Sequence, residues 1–258
     1  MSAALLRSWL ADPTTAGRPV DDPGTTELRR AILREKRSLN RIYRQWYREI
    51  MRNLPEALPT VLELGSGPGF FKSLLPGLIT SDILPLSRID LVADAVRLPL
   101  GDASLDGIVL VNVFHHIRDP RAFLTEAGRC VVPSGVVCMV EPWVTAWARL
   151  VYRLHSEPFQ PDSRDWVLEE GGPLSAGNGA LPWIVFQRDR SDFERNFPEW
   201  EVVERRPMMP FRYLFSGGVS LRQLAPDWAF RPLEAVEWAL RPMNRWLAMF
   251  ALIVLRRR

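Results

Sequence analysis

The 258-residue chain is 24% charged and 47% hydrophobic with a formal net charge of +3. That balance excludes a disordered, fibrous or polyelectrolyte protein and fits one globular domain with room for an insertion. Two cysteines, Cys130 and Cys138, exclude a disulfide framework, and no Cys/His spacing reads as a metal site.

Residues 1–26 carry Pro13, Gly17, Pro19, Pro23 and Gly24 among small polar residues and are expected to form a loosely attached arm. The first residues lack the basic start, apolar stretch and cleavage site of a secretory signal, so a cytoplasmic protein is expected. Residues 27–55 change character. Leu28, Ile32, Leu39, Ile42, Trp46 and Ile50 recur at helical spacing, nine Lys/Arg face three Glu, and Pro55 ends the run. This predicts one long basic amphipathic helix over 27–53. All basic residues of the chain except Lys36 and Lys72 are arginine. Arginine suits carboxylate and phosphate partners, and a coding bias would produce the same excess.

The period then shortens. Strands are predicted at 60–64, 78–82, 90–94 and 105–113, with a helix resuming at 70–75 after the first and another at 121–131. A fifth strand, 135–140, stops at Glu141-Pro142. Residues 143–198 hold Trp, Pro and Gly without a clean period and read as a cap or insertion. Residues 199–258 hold a sixth strand at 200–205, a helix near 233–240 and a last strand at 247–255, buried on both faces. The longest apolar run, Trp246 to Leu255, is half the length of about 20 residues that a membrane-spanning helix needs. Alternating strands and helices imply a parallel sheet covered on both faces, with the ligand edge at the strands' C-terminal ends. Residues 27–258 are therefore expected to be a single domain, with 60–142 as its ligand-binding core.

Glu63-Leu64-Gly65-Ser66-Gly67-Pro68-Gly69 ends the first strand. A phosphate loop would need Gly-Lys-Ser/Thr at its end, and a dinucleotide fingerprint needs a small residue where Phe70 stands. Asp82 and Asp94-Ala95 end the second and third strands. Carboxylates there suit ribose hydroxyls and an adenine amino group. Three acids on one sheet edge favour a cationic adenosine ligand over a pyrophosphate.

On these residues, with Leu98-Pro99-Leu100, Asp102, Asp106, Asn112-Val113-Phe114-His115-His116 and Pro133-Ser134-Gly135, the stretch 61–142 resembles the class I S-adenosylmethionine-dependent methyltransferases, in particular their small-molecule, quinone-biosynthesis-like branch. The resemblance implies an α/β, Rossmann-like, doubly wound sheet of seven strands, the last antiparallel, with a cap insertion after strand five. It implies S-adenosyl-L-methionine as cofactor, held by Glu63, Gly65, Ser66, Gly67, Gly69, Asp82, Asp94, Ala95 and Asn112. Ser134-Gly135 stands where the family more often has two glycines. The segment after Pro142 matches no general family pattern.

Methyl transfer needs positioning and, for a hydroxyl nucleophile, a general base. His116, His155 and Glu157 are the candidates for that chemistry. His115, Tyr43 and Tyr47 are the candidates for contact with the acceptor, the two tyrosines sharing a helix face at i, i+4. Each has an ordinary alternative in capping, packing or surface exposure. The Asp/Asn-Pro-Pro-Tyr motif of amino-methylating DNA enzymes is missing, so no DNA substrate is expected, and no discrete basic module points to RNA. The expected partner is a small organic acceptor, amphipathic or lipid-linked given the aromatic cap, with the Arg-rich helix available to a membrane surface. A cofactor-binding regulatory or scaffold protein without transfer activity is the alternative.

Overall fold

The computed structural model describes residues 9–56, 60–153 and 158–258. His155 and Glu157 lie outside the described residues. The basic N-terminal segment forms two helices, α1 (Pro23–Glu35) and α2 (Arg37–Met51), rather than one. Asp22 caps α1 by accepting from the Thr25 N–H at 3.0 Å. The break falls at Lys36, whose backbone is extended. Its ammonium pairs with Asp12 at 3.2 Å and donates to the carbonyls of Gly218 and Leu221. Nothing in the local helical pattern of 27–53 encodes that contact, because its partners lie far away in sequence. Asp12 sits in the segment read as a loose arm, and that segment is tied at Ala11 to Leu221 by an isolated bridge.

Seven strands follow: β1 (Val61–Leu64), β2 (Ile79–Asp82), β3 (Leu91–Val92), β4 (Leu105–Val111), β5 (Val131–Pro142), β6 (Trp200–Met208) and β7 (Phe250–Arg257). Their spatial order is β3-β2-β1-β4-β5-β7-β6. The first five run parallel, and β7 lies antiparallel between β5 and β6. The expected seven-stranded α/β sheet is therefore present. The apolar run at the chain's end is its β7, closed in by a strand on each side, with Trp246 alone of that stretch strongly exposed.

One predicted helix is absent. After the glycine loop the chain makes only a 3₁₀ turn, Phe71–Ser73. Pro76-Gly77 follows within three residues, too soon for a full α-helix to propagate before β2 begins. Among the described residues, no helix joins β2 to β3 or β3 to β4 either. That face of the sheet is covered instead by α2, whose Leu39, Ile42, Tyr43, Trp46, Tyr47 and Ile50 are all buried against Val61, Val109, Val136 and Cys138. Trp46 packs on Tyr213 at 5.5 Å and Phe250 at 5.0 Å between ring centroids. The opposite face packs α3 (Pro120–Cys130) and the β5–β6 insertion. Of that insertion, a wide helical turn at Ile184–Arg188 and α5 (Arg190–Asn196) lie on this face, whereas α4 (Ala146–Tyr152) packs with the α2 side through Trp147, Val151 and Tyr152. Three helices follow in the second half, α6 (Arg212–Ser216), α7 (Phe230–Ala239) and the single turn α8 (Asn244–Leu247), so the last strand starts at Phe250 rather than at 247.

Candidate active site

The C-terminal ends of β1, β2, β4 and β5 meet at one edge. Gly65 and Gly67 adopt left-handed backbone, at φ +62° and +41°. A Cβ on Gly65 would stand 2.4 Å from Val113 Cγ2, so glycine is required there by both conformation and space. The loop is fixed from three sides. Gly67 N–H donates to Asp82 Oδ2 at 2.9 Å, Ser66 N–H to the Ser81 carbonyl at 2.8 Å, and Arg30 of α1 to the Gly67 carbonyl at 2.8 Å. The other Asp82 oxygen accepts from Leu84 N–H at 2.9 Å. Burial raises the Asp82 carboxyl above its ordinary range, against the pull of these amides.

Glu63 lies buried beneath the loop. Burial pushes its carboxyl up to about 8, with the Asp82 charge acting in the same direction. Gly69 faces α2: a Cβ there would meet the Tyr47 hydroxyl at 2.7 Å. Tyr47 stacks on Phe71 at 4.4 Å and its hydroxyl accepts from Phe70 N–H at 3.3 Å. Its place is thus under the loop and outside the cavity lining, whereas Tyr43 lines the cavity and hydrogen-bonds the Asn112 side chain. Burial pushes the Tyr43 phenol up to about 12, so it keeps its proton at neutral pH.

A cavity of about 1330 Å³ runs along this edge. A small-molecule pocket typically measures about 300–1,000 Å³, so this space accommodates two ligands side by side. One end is lined by Gly65, Gly67, Asp82, Asp94, Ala95 and Asn112. Asn112 itself is left-handed at φ +58°, a strained conformation for a residue with a side chain. Trp147, Val151, Tyr213, Leu214, Met249 and Phe250 line the other end, which is mostly apolar. Glu63, Ser66 and Gly69 support the loop from behind.

Two lining residues, Thr26 and Arg29, are not among the candidates the sequence offers. Thr26 Oγ1 and Arg29 Nε are buried and have no hydrogen-bond partner among the described residues. Both belong to α1 and line the cavity, Thr26 beside Gly67 and Arg29 close enough to Tyr43 to act on its charge. With Arg29 among the lining residues, this wall fits an anionic group such as an amino-acid carboxylate. Their i, i+3 spacing is legible in the sequence, but Thr26 stands among the small polar residues of the expected arm. His115 and His116, both on the β4 loop, line the cavity with their rings 4.1 Å apart. His115 Nδ1 lies 2.6 Å from Glu141 Oε2. Glu141 Oε1 accepts the N–H groups of Val113 and Phe114, each at 2.8 Å. With Glu141 Oε1 taken by two amide donors, its Oε2 faces His115 Nδ1, a contact that favours the tautomer with the proton on Nδ1. His116 Nδ1 instead meets the Ala176 carbonyl at 3.1 Å, tying the insertion to the β4 loop. Glu141 is fully buried. Its signal in the sequence was an acid at the end of a strand, the same signal that exposed Asp82.

Residues 62–139 match the methyltransferase domain family. No curated protein sequence matches the chain. Among solved structures, a chain of the complex between the Haloferax volcanii Trm112 methyltransferase activator and its methyltransferase superposes with TM-score 0.52 at 18% identity, covering 89% of this chain and 96% of that one. An S-adenosylmethionine-dependent methyltransferase from Thermotoga maritima superposes with TM-score 0.50 at 16% identity, covering 88% and 99%. At such identities the likeness is one of fold. The strand order, the glycine loop and the family match agree: the fold is Rossmann-like, residues 62–139 match the methyltransferase domain family, and that match implies S-adenosylmethionine as cofactor.

Proposed function

We propose that this chain transfers a methyl group to a small, largely apolar organic acceptor through a hydroxyl nucleophile, in the manner of the small-molecule, quinone-biosynthesis-like branch. The observation that carries this reading is the pairing of an apolar cavity end with the Glu141–His115 dyad. The glycine loop, Asp82, Asp94, Ala95 and Asn112 would hold the cofactor's adenosine and methionine portions, and Thr26 with Arg29 its carboxylate. When bound, the cofactor supplies an electrophilic methyl group on a sulfonium, so the protein's own work is to position, exclude water and manage one proton.

His115 is better placed than His116 to accept that proton. Glu141 fixes its tautomer and steadies the charge the ring gains, as a carboxylate does for a catalytic histidine elsewhere. His116 is engaged by the insertion backbone. Tyr43 acts as a hydrogen-bond donor or acceptor rather than a base, since its phenol stays protonated. Trp147, Val151, Met249 and Phe250 would enclose the acceptor's apolar body and keep water from the reacting atoms.

The test has two arms. Calorimetry with S-adenosylmethionine should show binding that Asp82→Ala weakens about tenfold or more, the equivalent of one hydrogen bond to a charged group. A metabolite extract incubated with methyl-labelled cofactor, followed by mass spectrometry, should then show a labelled apolar hydroxyl compound. Cofactor binding without any labelled product would favour the regulatory alternative, and product labelled only on nitrogen would overturn the hydroxyl assignment.

A further inference from the structure

The segment after α6 is inverted relative to an ordinary surface helix. Its acids point inward. Glu237 is buried and accepts the N–H groups of Phe211 and Arg212 at 2.9 and 2.7 Å and the Arg212 Nε at 2.6 Å. Glu234 takes the Arg212 guanidinium at 2.9 Å. Asp227 accepts from the Ser38 hydroxyl and backbone at 2.8 and 3.2 Å. Its aromatics point outward: Trp228, Trp238 and Trp246 are 76, 66 and 46% exposed. Val236 and Met243 join them on the surface.

The exposed charges between these tryptophans are Arg231, Arg241 and Arg245. Arg245 lies over the Trp246 ring at 3.6 Å. The patch is continuous with α2 through Arg41, stacked over Phe230 at 5.4 Å, and α2 adds exposed Arg37, Arg44 and Arg48. The one acid of α2, Glu49, is taken by Arg52 and Arg206. The carboxylates of the patch are engaged, Glu237 and Asp227 by internal partners and Glu234 by buried Arg212 and by exposed Arg231 at 3.2 Å, while the outer face is tryptophan and arginine. Tryptophan favours the boundary between water and acyl chain, and arginine favours anionic headgroups. The patch also adjoins the cavity. Leu224, exposed and cavity-lining, precedes Trp228 by four residues, and exposed Leu150 lines the cavity too.

We propose that the face carrying Trp228, Trp238, Trp246, Arg231, Arg241 and Arg245 docks on the headgroup layer of an anionic lipid bilayer. Docked there, the mouth of the cavity opens toward the source of an apolar acceptor. The docking stands independently of the methyl-transfer reading; only the delivery of an acceptor rests on it.

Flotation of the full chain with vesicles tests this. The vesicles are phosphatidylcholine alone or phosphatidylcholine mixed equally with phosphatidylglycerol. Binding is expected to the mixed vesicles only, weakened by salt, with a blue shift of tryptophan emission. Arg241→Glu with Arg245→Glu should weaken it about tenfold or more, and Trp238→Ser with Trp246→Ser should abolish the blue shift. Arg190→Glu with Arg195→Glu, on α5, should leave binding unchanged. Unaltered melting and cofactor calorimetry certify that each variant is folded. Absence of binding to the mixed vesicles at low salt overturns the proposal, as does binding that both patch variants retain. A lipid-free dimer that the tryptophan variant dissolves would assign the face to a second copy instead.

Discussion

Two carboxylates on this edge do opposite work. Glu63 is buried under the glycine loop without a charged partner, and its carboxyl rises to about 8 from an ordinary 4.5. Between those values the folded chain holds a proton that the unfolded chain has released. Stability from this group is therefore complete below about pH 4.5 and declines as the pH rises through 8. Glu63→Gln keeps the shape and removes the titration. In cofactor-free protein it should raise stability at pH 8 by about 3 kcal/mol relative to pH 5, read as a flatter melting profile. Glu141 is held by two amides and His115 instead. Glu141→Gln should lower turnover about 10²–10⁴-fold with little change in cofactor affinity, since it acts on the base and leaves the glycine loop alone. An unchanged turnover would remove His115 from the chemistry.

The element that most shapes the site is one that the strand-helix alternation did not foretell. With no full helix after β1, α2 packs directly on the back of the glycine loop through Tyr47, Phe70 and Phe71. Gly69 is the contact point. Gly69→Ala would press a methyl group against the Tyr47 hydroxyl and the Ser66 carbonyl. It should cost about 1–3 kcal/mol and weaken cofactor binding together. Gly101→Ala, where nothing lies within 4 Å, should stay within about 0.5 kcal/mol of the parent protein in thermal denaturation. The α1–α2 break belongs to this scale too. Lys36 anchors the hinge between them to the Gly217–Leu221 turn, and α1 then delivers Thr26, Arg29 and Arg30 to the loop.

Across the whole molecule, the buried Arg212–Glu237 pair joins α6 to α7 and holds the tryptophan face in place. Glu237→Ala leaves a buried guanidinium without its main partner. It should cost about 3–5 kcal/mol in denaturant unfolding and loosen vesicle binding. The cavity likewise depends on remote parts of the chain, since α1, the β4 loop, α4, the insertion near Ala176 and the turn before β7 all contribute walls. No described helix is long and apolar enough to cross a membrane.

The features legible in the sequence are short-range ones. The strands announce themselves by apolar runs, and the loop by glycines whose spacing excludes phosphate and dinucleotide patterns. Asp82 and Asp94 are legible because a strand end followed by an acid is a short-range signal. The fold and cofactor class follow from those few residues. What the tertiary structure decided is non-local. Helix 27–53 breaks because Lys36 meets partners some 180 residues away. The face left open by the missing helix after β1 is covered by α2, a packing that no local pattern states. Glu141 acquires its role only when β5 lies beside β4 and its carboxylate reaches His115. The arginine excess divides in the same way. Composition shows that arginine predominates. Folding pairs Arg30 and Arg212 inside the protein and leaves Arg241 and Arg245 exposed, with exposed Arg231 beside them on Glu234, in a segment whose tryptophans face outward.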